Sequence, residues 1–170
     1  VPDLSEEQKL ACESIKKHFE KKGCTLLHGV TGSGKTEVYI TLIMEAIKRG
    51  EIVLYLLPEI ALTTQIIKRL QRVFGDAVGV YHSKFNLNER VELWNEMLNP
   101  KSKYKVILGA RSALFLPFKN LGLIIVDEEH ENTFKQFDPA PRYHGRDLAL
   151  VLSKLHKAKV LLGSATPSVE

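Results

Sequence analysis

Six short runs rich in branched and aromatic residues recur along the chain: 24–28 (CTLLH), 52–57 (IVLYLL), 78–82 (VGVYH), 105–109 (KVILG), 121–127 (LGLIIVD) and 159–163 (KVLLG). Several are apolar without alternation, the pattern of strands covered on both faces, and most are separated by segments with apolar residues at helical spacing. That order predicts an α/β fold, a mostly parallel sheet with helices on both faces. Helix boundaries are written in the same string. Ser5 followed by Gln8 in SEEQ forms a capping box that opens the first helix, and Gly23, Gly50 and Gly75 are expected to close three helices. In such sheets ligands bind beyond the carboxyl ends of the strands, so chemistry is sought there.

A length of 170 residues with 44% apolar content fits one domain over 1–170 with a proper core. The net charge of +4, from 24 basic and 20 acidic residues, tilts toward anionic partners without the lopsided balance of a histone-like binder. Cys12 and Cys24 form no C-x-x-C pair, so neither a disulfide framework nor a zinc site is indicated and a reducing, cytoplasmic setting is expected. With no basic-then-apolar leader and no apolar run near the ~20 residues that span a bilayer, no membrane is expected as a partner.

The segment GVTGSGKT, Gly29 to Thr36, satisfies G-x-x-x-x-G-K-[ST] directly after a predicted strand and directly before a helical segment. Gly29, Gly32 and Gly34 let the backbone wrap tightly enough for the N–H groups through Thr31 and Ser33 to point at phosphate oxygens, while the following helix presents its positive end. Lys35 is expected to reach the β and γ phosphates, and Thr36 to ligate Mg²⁺ through its hydroxyl. ATP with Mg²⁺ is the expected ligand pair.

A phosphate loop needs an acidic partner for the metal, and LIIVDEEH supplies Asp127 at a strand end with Glu128 beside it. Asp127 is expected to hold Mg²⁺ through water, and Glu128 to orient and polarise an attacking water. Glu129 has the weaker claim of a solvated third acid.

GSGKT, DEEH and GSATPS together resemble the superfamily 2 helicases with a D-E-x-H box. Adding HGVTGSGKTEVY, LLPEIALTTQ, YHS, GARSALFLPF, PRYHGRD and LGSATPS in that order, the chain resembles the PriA-like primosomal helicases over nearly its whole length. The resemblance implies a RecA-like lobe, the first of two, from an ATP-driven motor that moves 3′ to 5′ on DNA at replication forks and loads other primosome proteins. It also implies parts beyond these residues: a second lobe that supplies an arginine finger, a cysteine-rich zinc insertion and an amino-terminal DNA-binding region. A lobe without that finger is expected to hydrolyse ATP poorly.

The same resemblance assigns further residues. Gln8 matches a glutamine that reads adenine, although the capping box competes for the same side chain. Ser164 and Thr166 lie in the S-A-T segment that links nucleotide state to strand separation, and His130 is placed to sense the γ-phosphate side. Arg111, and Thr63 or Thr64, correspond to segments that grip the DNA backbone; arginine and hydroxyl groups suit phosphate oxygens and give affinity without sequence readout. Phe134, Lys135, Phe137, Tyr143, His144 and Arg146 supply flat faces and positive charge in a loop, stiffened by Pro139 and Pro141, that follows the acid box. Stacking on such rings contributes about 1–3 kcal/mol per base for any base. Departures from the family pattern are Ala110 in place of threonine, a longer connection at FDPAP, and Gly145 in place of alanine.

Two other function classes fit parts of the string: a small nucleotide kinase, which leaves the DEEH and SATP segments unexplained, and a translocase or remodeller that moves on nucleic acid without separating strands. An ATPase relic that only binds is opposed by the intact Lys35, Thr36, Asp127 and Glu128.

Overall fold

A computed structural model describes residues 2–27, 34–82, 86–128 and 139–164, with side chains except at 128, 139–145 and 164. Its centre is a six-stranded sheet in the order β1-β6-β5-β2-β4-β3, made of β1 (Cys24–Leu27), β2 (Ile52–Leu56), β3 (Val78–Tyr81), β4 (Val106–Gly109), β5 (Leu121–Glu128) and β6 (Lys159–Ser164). All pairings are parallel. The strands sit within a residue or so of the apolar runs, because parallel strands buried on both faces need branched side chains throughout.

Alternating side chains of these strands feed two cores. Val53, Tyr55, Leu108, Ile125 and Leu161 face α1 (Glu6–Lys21), α2 (Gly34–Lys48) and α3 (Thr64–Phe74). Leu54, Ile107, Ile124 and Val160 face α4 (Leu87–Leu98), the 3₁₀ segment Arg111–Phe115 and α5 (Pro139–His156). Helices therefore cover both faces, as the sequence predicts.

The helix ends follow local chemistry, with two corrections. Ser5 caps α1 in a complete capping box, and Gly50 (φ 81°) and Gly75 (φ 57°) take the left-handed turns for which glycine has no steric penalty. Gly23 does not close α1: the helix ends at Lys21 and its C-cap is Lys22 in extended conformation. The stretch from Pro139 is also not a loop. It is the first turn of α5, where a missing proline N–H removes no helical hydrogen bond, so Pro139 and Pro141 are tolerated and Tyr143 and Arg146 belong to a helix.

Candidate nucleotide site

Three adjacent strands build the site. Leu27, the last residue of β1, pairs in register with Gly163 of β6, and Gly163 pairs with Asp127 of β5. The phosphate-loop segment leaves β1, and α2 begins at Gly34, so a side chain from the first turn of α2 must reach across β6 to meet Asp127. Lys35 does so. Its Nζ lies 3.7 Å from Asp127 Oδ1, and both side chains are almost wholly buried. Burying two charges is costly unless they are paired, so the sheet edge is committed to this contact.

What lets Lys35 and its neighbours cross β6 is the absence of a side chain at Gly163. A Cβ there would collide with the Tyr39 hydroxyl and lie 3.6 Å from Asp127 Oδ1. Tyr39 sits one helical turn after Lys35 on the same inward face. Its ring packs edge-on against Tyr55 of β2, with centroids 5.4 Å apart and planes at 78°. Both rings are completely buried. The arrangement stiffens the floor under the Lys35–Asp127 pair.

Thr36, Asp127, Tyr55, Pro58, Ala61 and Ile66 line a cavity of about 90 Å³ beside that pair. Thr36 and Asp127 thus share one small space, otherwise lined mainly by apolar side chains, at the carboxyl end of the sheet, and their hydroxyl and carboxylate are oxygen donors of the kind that suit a hard cation. The next residue, Glu37, forms an ion pair with Arg69 of α3 and anchors the start of α2.

Gln8 is used at both ends of its carboxamide. Its Oε1 accepts from the Ser5 N–H at 2.7 Å, completing the capping box, and its Nε2 donates to the Gly34 carbonyl at 3.1 Å. The amino terminus of α1 is thereby tied to Gly34 of the phosphate-loop segment, the first residue of α2. Sequence reading finds the cap but not the tie, which depends on how α1 packs on α2.

The remaining sequence-predicted residues are distributed as follows. Arg111 opens the 3₁₀ segment beyond β4 and is exposed at the carboxyl end of the sheet. Thr63 is the N-cap of α3, its hydroxyl accepting from the Ile66 N–H, while Thr64 is the exposed first residue of that helix. Arg146 is half-buried on α5; burial raises the pKa of the Cys24 thiol at the start of β1, and the Arg146 charge partly offsets this. Ser164 ends β6 in register with Glu128, the last residue of β5, and Tyr143 lies on α5. Gly29, Thr31, Gly32, Ser33, His130, Phe134, Lys135, Phe137 and Thr166 lie outside the described residues. His82, to which the sequence assigns no role, is buried just after β3. Among the described residues no helix is long and apolar enough to cross a membrane.

A parallel sheet with a lysine and a hydroxyl at the start of the helix after its edge strand, facing an acid two strands away, defines a P-loop nucleotide-binding lobe. The chain belongs to the DEAD/DEAH box helicase family, whose sequence model matches residues 5–170. It is 44% identical over 170 residues to the replication restart protein PriA of Synechocystis sp., covering 100% of this chain and 20% of that protein. To the PriA of Rickettsia conorii it is 48% identical over 170 residues, covering 100% of this chain and 25% of that protein. The chain spans about a fifth to a quarter of the length of these relatives.

Among solved structures, RecG bound to a three-way DNA junction superposes with a TM-score of 0.71 at 25% identity, covering 98% of this chain and 22% of that one. The DUF1998 helicase MrfA bound to DNA gives 0.65 at 18% identity, covering 99% and 27%. The second likeness concerns the fold.

Proposed function

We propose that these residues form the first motor lobe of an ATP-dependent DNA helicase that moves 3′ to 5′ and acts in replication restart and primosome assembly. The observation that carries this reading is the buried Lys35–Asp127 pair beside the cavity shared by Thr36 and Asp127. Similarity to PriA proteins along the whole of this chain, a fifth to a quarter of theirs, supports narrowing it to restart helicases. Lys35 would serve the β and γ phosphates of ATP, and Thr36 and Asp127 would hold Mg²⁺, which would supply neutralisation of phosphate charge. With nucleotide bound, Lys35 would hold phosphate and Asp127 would hold the metal. Glu128 orients the attacking water and accepts its proton.

Ser164, Thr166 and His130 then carry nucleotide state to the DNA, which Arg111, Thr64, Phe134, Lys135, Phe137, Tyr143 and Arg146 grip. Single-stranded or forked DNA, a second helicase lobe and other primosome proteins are the partners, zinc belongs to a part of the full-length protein outside these residues, and the setting is the cytoplasm. The second lobe supplies the arginine finger, so these residues without it are expected to bind ATP or ADP weakly and to hydrolyse ATP poorly.

The test is strand displacement by the full-length protein on a duplex bearing a 3′ single-stranded arm, with Glu128→Gln as the control that binds ATP without turnover. Displacement from a 5′ arm only would overturn the polarity. Movement along DNA without displacement would make the protein a translocase.

A further inference from the structure

At the opposite end of the sheet from Lys35 and Asp127, the amino ends of β1 and β6 border a second cavity, of about 380 Å³. Its lining includes Cys24, Leu150, Ser153, Lys154, Lys157 and Lys159 and, among the described residues, no acidic side chain. We propose that this lysine-walled cavity binds phosphate groups of a nucleic-acid backbone, as a contact separate from the nucleotide site.

The lining itself carries charge of one sign only. Among the described residues none of the three lysines has an ion-pair partner. The exposed Lys21 and Lys22 end α1 next to the same edge, where the Val160 N–H bonds the Gly23 carbonyl at 2.7 Å. Attraction to the carbonyl end of α5 accounts for a lysine in its last turn such as Lys154, but Lys157 follows the helix and Lys159 lies on β6.

Lys157 is also held against backbone preference. With φ 56° it occupies the left-handed position where a helix end usually has glycine. The turn is closed by Lys157 N–H to Lys154 O at 3.4 Å and Ala158 N–H to Ser153 O at 2.8 Å. A lysine in that position projects its charge beside the cavity.

Point charges on flexible stems, with no aromatic ring in the lining, match phosphate oxygens and not bases, so the contact is blind to sequence. At about 3.3 Å of rise per residue the cavity lies on the order of 15 Å from the nucleotide site, and the two can be occupied together. The choice of nucleic acid as the phosphate source rests on the helicase reading; the positive cavity does not.

The test is titration of the 170-residue chain into a short fluorescein-labelled duplex at several salt concentrations. Lys154→Gln/Lys157→Gln/Lys159→Gln is compared with the charge-matched Lys17→Gln/Lys48→Gln/Lys68→Gln, whose sites are exposed on the other helical layer. The cavity triple is expected to weaken binding about tenfold or more and to lower the slope of log K against log salt by about 2, with the matched triple close to wild type. Both should keep ADP binding, and Lys35→Ala should keep duplex binding while losing ADP. That separates failure of the cavity from failure of the nucleotide reading. Equal losses in the two triples, no duplex binding by wild type, or displacement of the duplex by poly-glutamate as readily as by unlabelled duplex at equal charge would each overturn the proposal.

Discussion

Lys35 and Asp127 meet 3.7 Å apart across the intervening strand β6, with both charges out of solvent. Removing one partner takes an opposite charge away from the other while it stays buried, and breaking a buried pair typically costs about 3–5 kcal/mol. Lys35→Met and Asp127→Asn are therefore each expected to lower stability by about 3 kcal/mol. The double variant should lose clearly less than the sum, because it strands no charge. Urea unfolding of the four proteins checks this. Additive losses would show that the two side chains are held by other contacts and not by each other.

Gly163 and Tyr39 form a second coupled pair. Alanine at 163 would drive its methyl into the Tyr39 hydroxyl in a fully packed site, and overpacking of this kind costs about 1–3 kcal/mol. Tyr39→Phe removes the colliding oxygen, so it should recover part of the Gly163→Ala loss. A thermal-denaturation cycle with no recovery would mean that the ring, whose Cζ lies 3.0 Å from the same point, is the obstacle.

The strands were legible in the sequence because a parallel strand covered on both faces must be apolar throughout, and such runs have few other uses in a short chain. Lys35, Thr36 and Asp127 were legible because phosphate and metal chemistry fixes both residue type and strand-end position. Tyr39 and Gly163 were not. Their relation depends on the register that sets Gly163 beside Asp127 and Leu27, although the spacing of Tyr39 four residues after Lys35 places both on one helix face. Pro139 and Pro141 misled for a physical reason: proline interrupts a helix interior but is compatible with its first turn. The residue after Lys22 misled similarly, since Gly23 sits past a helix that ends in extended backbone and never takes a positive φ.

Gln8 has both ends of its amide engaged within the protein, on Ser5 and on Gly34. Gln8→Ala should cost about 1 kcal/mol through loss of the cap. It should also loosen the end of the phosphate-loop segment and weaken ADP and GDP binding by similar factors. A loss confined to ADP, measured by calorimetric titration of the two nucleotides, would instead show that the side chain leaves Ser5 and Gly34 to read adenine.

The two thiols supply a pH-dependent readout of packing. Burial pushes the Cys24 pKa above its ordinary value, and the Arg146 charge partly offsets this. Burial also raises Cys12, with Lys16 opposing and Glu45 and Glu13 reinforcing. A raised thiol pKa means that the folded state holds its proton more tightly than the unfolded state. The stabilising contribution is present below the ordinary thiol pKa and is lost as pH rises through that value toward the folded one. Alkylation near pH 8 should accordingly be slower at both positions than for a free thiol of pKa about 8.5, and slowest at the fully buried Cys12. Arg146→Gln removes the only charge found to lower Cys24, so its pH–rate profile should move to higher pH while that of Cys12 stays in place. An unchanged Cys24 profile would place the Arg146 guanidinium away from β1.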